Sequence, residues 1–319
     1  MGPSGQDLMK TVFFGSPASA LPSLIKVLEV GHSIELIITQ PDKPSGRGKK
    51  FMPSPVKKMA QELNIPTYQP QKIRKDPFVL DKMKKMQPDI NIVVAYGQII
   101  PSAIIYLPRY NSLNVHFSLL PQYRGASPVQ WALLNGEEKT GITIFELNEK
   151  MDEGDILAQE EIKIFPDENA AELETRLAQK GADLLIKTIA RIDKINPYKQ
   201  NHCQATYAPK LSKEEGKINW AKNALDIEKQ VKAFTPWPSA FSFLNEKRIK
   251  IHKGRKKETK AIPNSSPGEI LGINKKGIEV CCGDGSVYLI ESLQAENRKR
   301  MEAYVFSLGA KIKPGDVFA

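Results

Sequence analysis

The chain has 319 residues, and its 46 lysines and arginines against 36 aspartates and glutamates give a formal net charge of +10 at pH 7. The length predicts about two domains, and an apolar fraction of 41% is enough for packed cores, which excludes wholesale disorder. Three cysteines are too few for a disulfide framework and favour a reducing compartment, and four histidines without an HExxH pattern lead us to expect no metal.

In the first two thirds of the chain, short apolar runs alternate with amphipathic helical patterns. Strands are predicted at residues 11–14, 33–39, 90–95, 113–116, 142–147 and 156–164, with a short one near residue 67. Helices are predicted at residues 17–31, 55–63, 77–86, 128–134 and 169–192, and a loop at 40–55. Alternation of this kind predicts an α/β fold with an open, doubly wound, mostly parallel sheet, in which ligands bind at the carboxyl ends of the strands.

The pattern changes after a polar stretch at residues 195–216. A predicted helix at 224–234 is followed by five short alternating runs, at 241–244, 249–252, 269–273, 277–281 and 286–292. Five short strands with turn residues between them predict a small antiparallel β-barrel of the OB type. We therefore expect a catalytic domain over residues 1–197, a linker over 198–216 and a C-terminal domain over 217–319.

The positive charge is concentrated in the last third of the chain. Residues 1–207 carry 25 basic and 23 acidic side chains, a net of +2, whereas residues 208–319 carry 21 and 13, a net of +8. Residues 247–260 hold eight basic side chains and one acidic one, and residues 43–58 hold a second basic cluster. A basic domain attracts polyanions, above all nucleic acid, although a charge run by itself is as typical of a solvated surface.

The candidate chemistry lies around residues 113–125, since Walker, GxGxxG and GxSxG motifs are absent from the sequence. Asn114 and His116 alternate along a predicted strand, so their side chains project from the same face. An amide can hold an oxyanion and an imidazole can move a proton, which suits carbonyl chemistry. An Asn-x-His pair alone is more often structural. The acidic loop at residues 151–155, between two predicted strands, offers a carboxylate that can orient the His116 ring, although an Asp-Gly turn is common on its own.

The order of several short motifs resembles the folate-dependent formyltransferase family. The motifs are Asn114-Val115-His116, Ser118-Leu119-Leu120-Pro121, Arg124-Gly125, Thr140-Gly141-Ile142-Thr143 and Asp152-x-Gly154-Asp155. The resemblance implies transfer of a formyl group from 10-formyltetrahydrofolate, as co-substrate, to an amine. It implies Asn114, His116 and Asp152 as the catalytic residues. The folate contacts that we expect are Tyr96, Gly97, Ser118, Leu119, Leu120 and Pro121.

Further segments narrow the expected acceptor to methionine carried by the initiator tRNA. Residues 39–50 resemble the tRNA-contacting loop of the family members that formylate methionyl-tRNA, and residues 210–215 and 233–238 resemble their C-terminal part. The implied partner is initiator methionyl-tRNA in translation initiation, and the expected contacts are Lys43, Arg47, Lys49, Lys50, Lys250, Lys253, Arg255 and Lys256. No apolar run approaches the roughly 18 residues of a membrane span, so we expect a cytoplasmic protein without membrane contact, and a monomer.

Two positions depart from the family pattern. Phe117 stands where a small residue is expected and either narrows the site or packs beneath it, and Gln122 stands where a basic residue is usual. Three alternatives stay open: a formyltransferase for a small amine such as a sugar nucleotide or glycinamide ribonucleotide, a hydrolase that discards the formyl group, and an RNA-binding protein with a vestigial catalytic domain. The basic loop around Arg47 argues against the first, and the intact catalytic residues argue against the last.

Overall fold

A computed structural model describes residues 8–45, 50–260 and 264–319, which divide into two compact units. The first unit takes in the chain up to Pro128 together with Lys139–Lys163 and Glu174–Pro209, and the second takes in the remainder. Within the expected linker, Tyr198 exchanges backbone hydrogen bonds of 2.8 and 3.0 Å with Ile156, so this stretch has tertiary contacts in the first unit. The predicted boundaries at residues 197 and 216 stay a prediction.

Strands and helices alternate along the first 209 residues. The described strands are β1 (Lys10–Gly15), β2 (Ser33–Ile38), β3 (Lys43–Ser45), β4 (Lys50–Met52), β5 (Thr67–Tyr68), β6 (Ile90–Val94), β7 (Ser112–His116), β8 (Arg124–Gly125), β9 (Lys139–Glu146), β10 (Ile156–Lys163) and β11 (Tyr207–Ala208). The helices are α1 (Leu21–Glu29), α2 (Pro55–Glu62), α3 (Pro77–Met86), α4 (Ser102–Ile105), α5 (Pro128–Asn135) and α6 (Ala170–Ile189). Short 3-10 turns lie at Ala18–Ala20, Ile73–Lys75, Ile192–Lys194 and His202–Gln204.

The main sheet of the first unit has the strand order β10-β9-β7-β6-β1-β2-β5. The five strands from β7 to β5 are parallel, and β9 and β10 run antiparallel to their neighbours. This confirms the doubly wound, mostly parallel sheet. All five residues of β6 are buried, as expected for a strand covered on both faces. The loop predicted at 40–55 contains the short hairpin of β3 and β4.

Chain order reverses between β1 and β6, because β1 is followed by β2 on one side and lies beside β6 on the other. At this switch point Gly15 pairs with Val94, and a Cβ atom on Gly15 would lie 3.1 Å from the Val94 carbonyl oxygen. A larger residue at this position would require the neighbouring backbone to shift. In open sheets of this kind, ligands bind beyond the carboxyl ends of the strands at such a point.

The second unit contains an antiparallel sheet of six strands within its described residues, in the order β12-β13-β16-β15-β14 with β17 beside β16. They are β12 (Ala240–Leu244), β13 (Lys247–Lys260), β14 (Ile270–Asn274), β15 (Gly277–Cys281), β16 (Ser286–Ala295) and β17 (Met301–Glu302), with the helices α7 (Ala224–Ala233) and α8 (Ala303–Ala310) and a 3-10 turn at Glu214–Gly216. Val317 bridges to Glu269, and Phe318 bridges to Leu244. These bridges join the two edges of the sheet, which confirms the small OB-like barrel.

Two kinds of feature are absent from the described part of the chain. No described helix is long and apolar enough to cross a membrane. Among the same residues, no group of three or more histidine, cysteine, aspartate or glutamate side chains is placed to hold a metal ion.

Candidate active site

Strand β7 carries Asn114 and His116 on one face. Asn114 pairs with Val93 of β6, and His116 pairs with Thr143 of β9, so both lie inside the sheet near its carboxyl edge. The residues between and after them face the other way. A Cβ atom on Gly181 of α6 would lie 2.9 Å from a methyl of Val115 and 3.6 Å from the Phe117 ring. Phe117 therefore packs beneath the sheet and leaves the face with the polar pair clear.

The His116 ring is oriented by a backbone carbonyl. It is 6% exposed, and its Nε2 lies 3.0 Å from the carbonyl oxygen of Tyr123. A carbonyl only accepts hydrogen bonds, so Nε2 carries a proton and the neutral ring keeps its lone pair on Nδ1. Nδ1 lies 3.9 Å from Oδ2 of Asp152, which is too far for a hydrogen bond. The hydrogen bond that fixes this ring thus comes from Tyr123, whereas the sequence pattern led us to expect it from Asp152.

Asp152 approaches His116 from the loop between β9 and β10. Its backbone is left-handed, with φ +54°, and its Oδ2 accepts a 2.7 Å hydrogen bond from the backbone N–H of Gly125. Gly125 has φ +128°, and a Cβ atom there would lie 2.5 Å from the carbonyl oxygen of Ala208. Glycine is therefore required at the position that holds the carboxylate. The side chain of Asp152 is 15% exposed, so its charge acts at short range with limited solvent screening.

Asn114 has a half-buried side chain on the same face as His116. Within the described residues, its carboxamide makes no hydrogen bond to another protein group. A polar group in such a position normally has a partner, from protein, water or ligand. Its N–H donors are therefore available to an oxygen atom that enters the site.

The turn after β7 is held by hydrogen bonds from the neighbouring strands. Oγ of Thr143 donates to the Ser118 carbonyl at 2.7 Å and accepts from the Leu120 N–H at 3.0 Å. Nε2 of Gln159 donates to the Leu120 carbonyl at 2.9 Å. Leu119 lies between these fixed points with a half-buried side chain, and Pro121 is also half buried. The backbone of segment 118–121, the expected folate contact, is thus fixed by hydrogen bonds. Its partly exposed side chains, Leu119 and Pro121, are apolar.

The segment after β6 presents its backbone to solvent. The Tyr96 ring is buried in the core and packs edge-on against Phe14, with the ring centres 5.5 Å apart. Burial raises the pKa of the Tyr96 hydroxyl, and the nearby Asp76 carboxylate adds to the shift. Ala95 and Gly97 on either side are exposed and have φ values of +49° and +78°. Ala95 and Gly97 therefore lie open to a ligand, while the Tyr96 carbonyl already accepts a 3.0 Å hydrogen bond from Nε2 of Gln40 and its ring packs in the core.

The predicted tRNA-contacting residues lie in two places. Arg47, Lys49 and the side chain of Lys50 fall outside the described residues, while Lys43 is exposed on β3 of the first unit. The C-terminal group all lies on β13 of the second unit and comprises Lys250, half buried, and Lys253, Arg255 and Lys256, all exposed.

Sequence reasoning did not find every residue at the site. Gln200 donates hydrogen bonds of 2.9 and 2.8 Å to the carbonyls of Asp152 and Gly154, and it lies in the stretch that reads as a polar linker. Tyr123 contributes only its backbone carbonyl, and such a contact cannot be predicted from the type of residue. Arg124 belongs to one of the motifs quoted above, where it has no assigned role. Its place in the site became clear only from the structure, in which this normally exposed side chain is buried.

The chain matches two family models in succession. One, described as formyl transferase, matches residues 9–189. The other, described as formyl transferase, C-terminal domain, matches residues 210–311.

Curated relatives match nearly the whole chain. The methionyl-tRNA formyltransferase of Geobacter sulfurreducens is 41% identical over 309 residues, which cover 96% of this chain and 96% of that protein. That of Alkaliphilus oremlandii is 42% identical over 311 residues, covering 97% and 99%. A solved structure of the methionyl-tRNA formyltransferase from Clostridium thermocellum is 18% identical, covers 79% of this chain and 96% of that one, and has a TM-score of 0.56, a likeness of fold alone.

Proposed function

Because the chain belongs to the formyl transferase family, we propose that it transfers the formyl group of 10-formyltetrahydrofolate to the α-amino group of methionine on initiator tRNA. The choice of acceptor rests on one observation. The chain is 41% identical, over 96% of its length and including the C-terminal domain, to a methionyl-tRNA formyltransferase. A second feature also favours a tRNA substrate, namely the basic strand β13. Neither a small-amine formyltransferase nor a formyl hydrolase accounts for that strand.

The folate would lie at the switch point of the sheet. The exposed backbone at Ala95 and Gly97 supplies hydrogen-bonding groups for a pterin, and segment 118–121 supplies apolar surface for its ring. Tyr96 and Gly97 would act through their backbone, and Ser118, Leu119, Leu120 and Pro121 through the shape of the turn. When bound, the folate supplies the activated formyl group.

The catalytic residues divide the work of the reaction. Attack by an amine puts negative charge on the formyl oxygen and leaves an extra proton on the amine nitrogen. The unpartnered amide of Asn114 donates a hydrogen bond to that oxygen, a contribution that is typically worth roughly 10²–10³ in rate. Nδ1 of His116 accepts the proton from the amine, because Nε2 is engaged with Tyr123. The carboxylate of Asp152 stabilises the imidazolium that results. When the intermediate collapses, the bond between the formyl carbon and the folate nitrogen breaks, and that nitrogen would take the proton from the imidazolium.

The basic residues recognise the tRNA in two ways. Lys250, Lys253, Arg255 and Lys256 make phosphate contacts, which position the tRNA without reading its sequence. Lys43, Arg47, Lys49 and Lys50 belong to a segment that meets the acceptor end, with Arg47 selecting the initiator tRNA. Transfer to methionyl-tRNA belongs to translation, so the protein acts in the cytoplasm. That it acts as a monomer stays a prediction.

The deciding experiment is transfer with purified protein. The protein is incubated with methionyl-tRNA and 10-formyltetrahydrofolate, and formyl-methionine on the tRNA is measured, with His116→Ala as the control. We expect transfer by the native chain and a loss of roughly 10²–10⁴ in the control. Absence of transfer by a folded protein that still binds folate would overturn the proposal and direct the search to small amines.

A further inference from the structure

Tyr123 and Gly125, on either side of Arg124, contact the catalytic pair His116 and Asp152. Tyr123 accepts the His116 Nε2 hydrogen bond through its carbonyl, and Gly125 donates its N–H to Oδ2 of Asp152. Between them, the guanidinium of Arg124 is directed away from the catalytic pair into a buried polar cluster. The separation of the two catalytic groups is therefore set by this short segment.

The centre of the buried cluster is the amide of Gln200. Its Oε1 accepts hydrogen bonds of 3.1 and 2.7 Å from Nε and Nη2 of Arg124. Its Nε2 donates at 2.9 Å to the carbonyl of Asp152 and at 2.8 Å to that of Gly154. Both donors and both acceptor lone pairs are used. The orientation of the amide is fixed as well, because a guanidinium only donates and a carbonyl only accepts.

The charge of Arg124 is fully engaged within this cluster. The residue is 2% exposed, with Glu153 at 3.4 Å from Nη1 and Nδ1 of His202 at 3.0 Å from Nη2. A buried charge is tolerated only when it is paired and hydrogen-bonded, so Arg124 in turn holds the Gln200 amide in place. Gln200, which is 5% exposed, thus links the buried guanidinium of Arg124 to the loop that carries Asp152.

The segment that carries Gln200 lies within residues 198–216, which the sequence predicts to be a linker. Thr206 accepts the Tyr123 N–H through its hydroxyl at 2.8 Å, and its carbonyl accepts the Arg124 N–H at 2.9 Å. Strand β11 then pairs with β8. Residues 200–208 therefore hold the segment that contacts the catalytic pair, although they lie more than forty residues further along the chain than Asp152.

We propose that Gln200 is a positioning residue for catalysis, which holds the Asp152 carboxylate beside His116 by clamping the left-handed backbone of Asp152 to the buried Arg124. This rests on the proposed function, since it assigns Gln200 to the formyl-transfer site. Asp152 is held at two points, its carboxylate by Gly125 and its carbonyl by Gln200. Loss of the second point releases the loop and leaves substrate-binding surfaces untouched.

The test compares Gln200→Leu with the matched control Gln204→Leu, an exposed glutamine on the same segment. We expect Gln200→Leu to lower kcat by about 10²-fold, the typical loss from misplacement by about 1 Å. KM for methionyl-tRNA and for 10-formyltetrahydrofolate should stay within about threefold, because Gln200 is buried and presents no surface to either ligand. Amide hydrogen exchange of residues 147–155, measured without ligands, should speed up by about tenfold, because the loop opens more readily. Gln204→Leu should match the native protein in both measurements.

A second variant keeps the test decisive if Gln200→Leu fails to fold. Gln200→Glu retains a partner for Arg124 but sets carboxylate oxygens against the carbonyls of Asp152 and Gly154, so it should show the same fall in kcat and the same faster exchange. Native exchange in the 147–155 loop of either folded variant, or kcat within about threefold of native, would overturn the inference. An inactive native protein would overturn the proposed function alone, because the exchange measurement needs no turnover.

Discussion

Nδ1 of His116 and Oδ2 of Asp152 face each other across 3.9 Å without a hydrogen bond, while each group is tied to the same three-residue segment. In a serine-protease triad, the carboxylate accepts a hydrogen bond from the histidine and so fixes its orientation and tautomer. Here the Tyr123 carbonyl fixes both. The contribution left to Asp152 is its negative charge, which lies 3.9 Å from the ring and would stabilise the positive charge that the ring carries during transfer.

Asp152→Asn separates that charge from the structural role of the residue. Asparagine tolerates left-handed backbone and its amide oxygen still accepts the Gly125 N–H, so the fold and the Tm should change little. Turnover should fall by on the order of 10²-fold, because the imidazolium loses its counter-charge. Steady-state kinetics checks this, with Asp81→Asn, at an exposed site on α3, as the control. Native turnover in Asp152→Asn would show that the charge does not matter.

Substitution of Asn114 tests the oxyanion role. Asn114→Ala removes a donor that has no protein partner, so turnover should fall by roughly 10²–10³-fold with tRNA affinity unchanged. Asn114→Asp should be slower still, because a carboxylate repels the negative charge that develops on the formyl oxygen. The measurement is single-turnover formylation together with tRNA binding by filter retention. If the alanine and aspartate variants were equally active, the amide would have no electrostatic role.

Much of the fold could be predicted because its strands are continuous apolar runs. Residues 33–39 and 90–95 became β2 and β6, since burial on both faces of a parallel sheet leaves an unambiguous pattern. Strand β13 was predicted only at 249–252 and continues to Lys260. Its second half is basic and carries no alternation, and it stays extended because it pairs with β16.

The placement of Asn114 and His116 on one face could be predicted from local spacing, but the groups that support the pair could not. Asn114 and His116 lie two residues apart, and a strand places such residues on one face by geometry alone. Gln200 reaches Asp152 only after the chain returns past β8, and the two-residue strands β8 and β11 have no periodicity to detect. Contacts that depend on such returns follow from tertiary structure, which the local sequence does not encode.

His32 gives the first unit a dependence of stability on pH. The residue is buried, its Nδ1 accepts the Met9 N–H at 3.2 Å, and burial lowers its pKa below the usual value of 6.5. The unfolded chain therefore binds this proton first as the pH falls. Its stabilising contribution is complete above about pH 6.5 and is lost below it. His32→Asn, which keeps an acceptor, should show a smaller drop in Tm between pH 7.5 and pH 5.0. Equal drops in variant and native protein would exclude this contribution.

Arg47→Ala tests the basic segment that follows β3. Because Arg47 is expected at the acceptor end, the variant should lose formylation of methionyl-tRNA by at least about tenfold and bind folate as the native protein does. Arg191→Ala, which removes an exposed arginine near the end of α6, is the matched control. Folate affinity is measured by fluorescence quenching. Equal losses in tRNA activity and folate binding would point to a damaged fold and contradict the assignment.

Two substitutions on the basic barrel should act in opposite directions. Lys256 is exposed and, among the described residues, its side-chain ammonium has no carboxylate within ion-pair distance. Lys256→Ala should therefore lower the slope of log binding constant against log salt by about one. Glu291 lies 3.7 Å from Lys253 and 3.0 Å from Arg255 and offsets both charges. Glu291→Gln should therefore strengthen tRNA binding at low salt and steepen the slope. Lys84→Ala, on α3, is the control and should leave the slope unchanged. If Lys256→Ala and Glu291→Gln also left it unchanged, the phosphate contacts would lie away from β13.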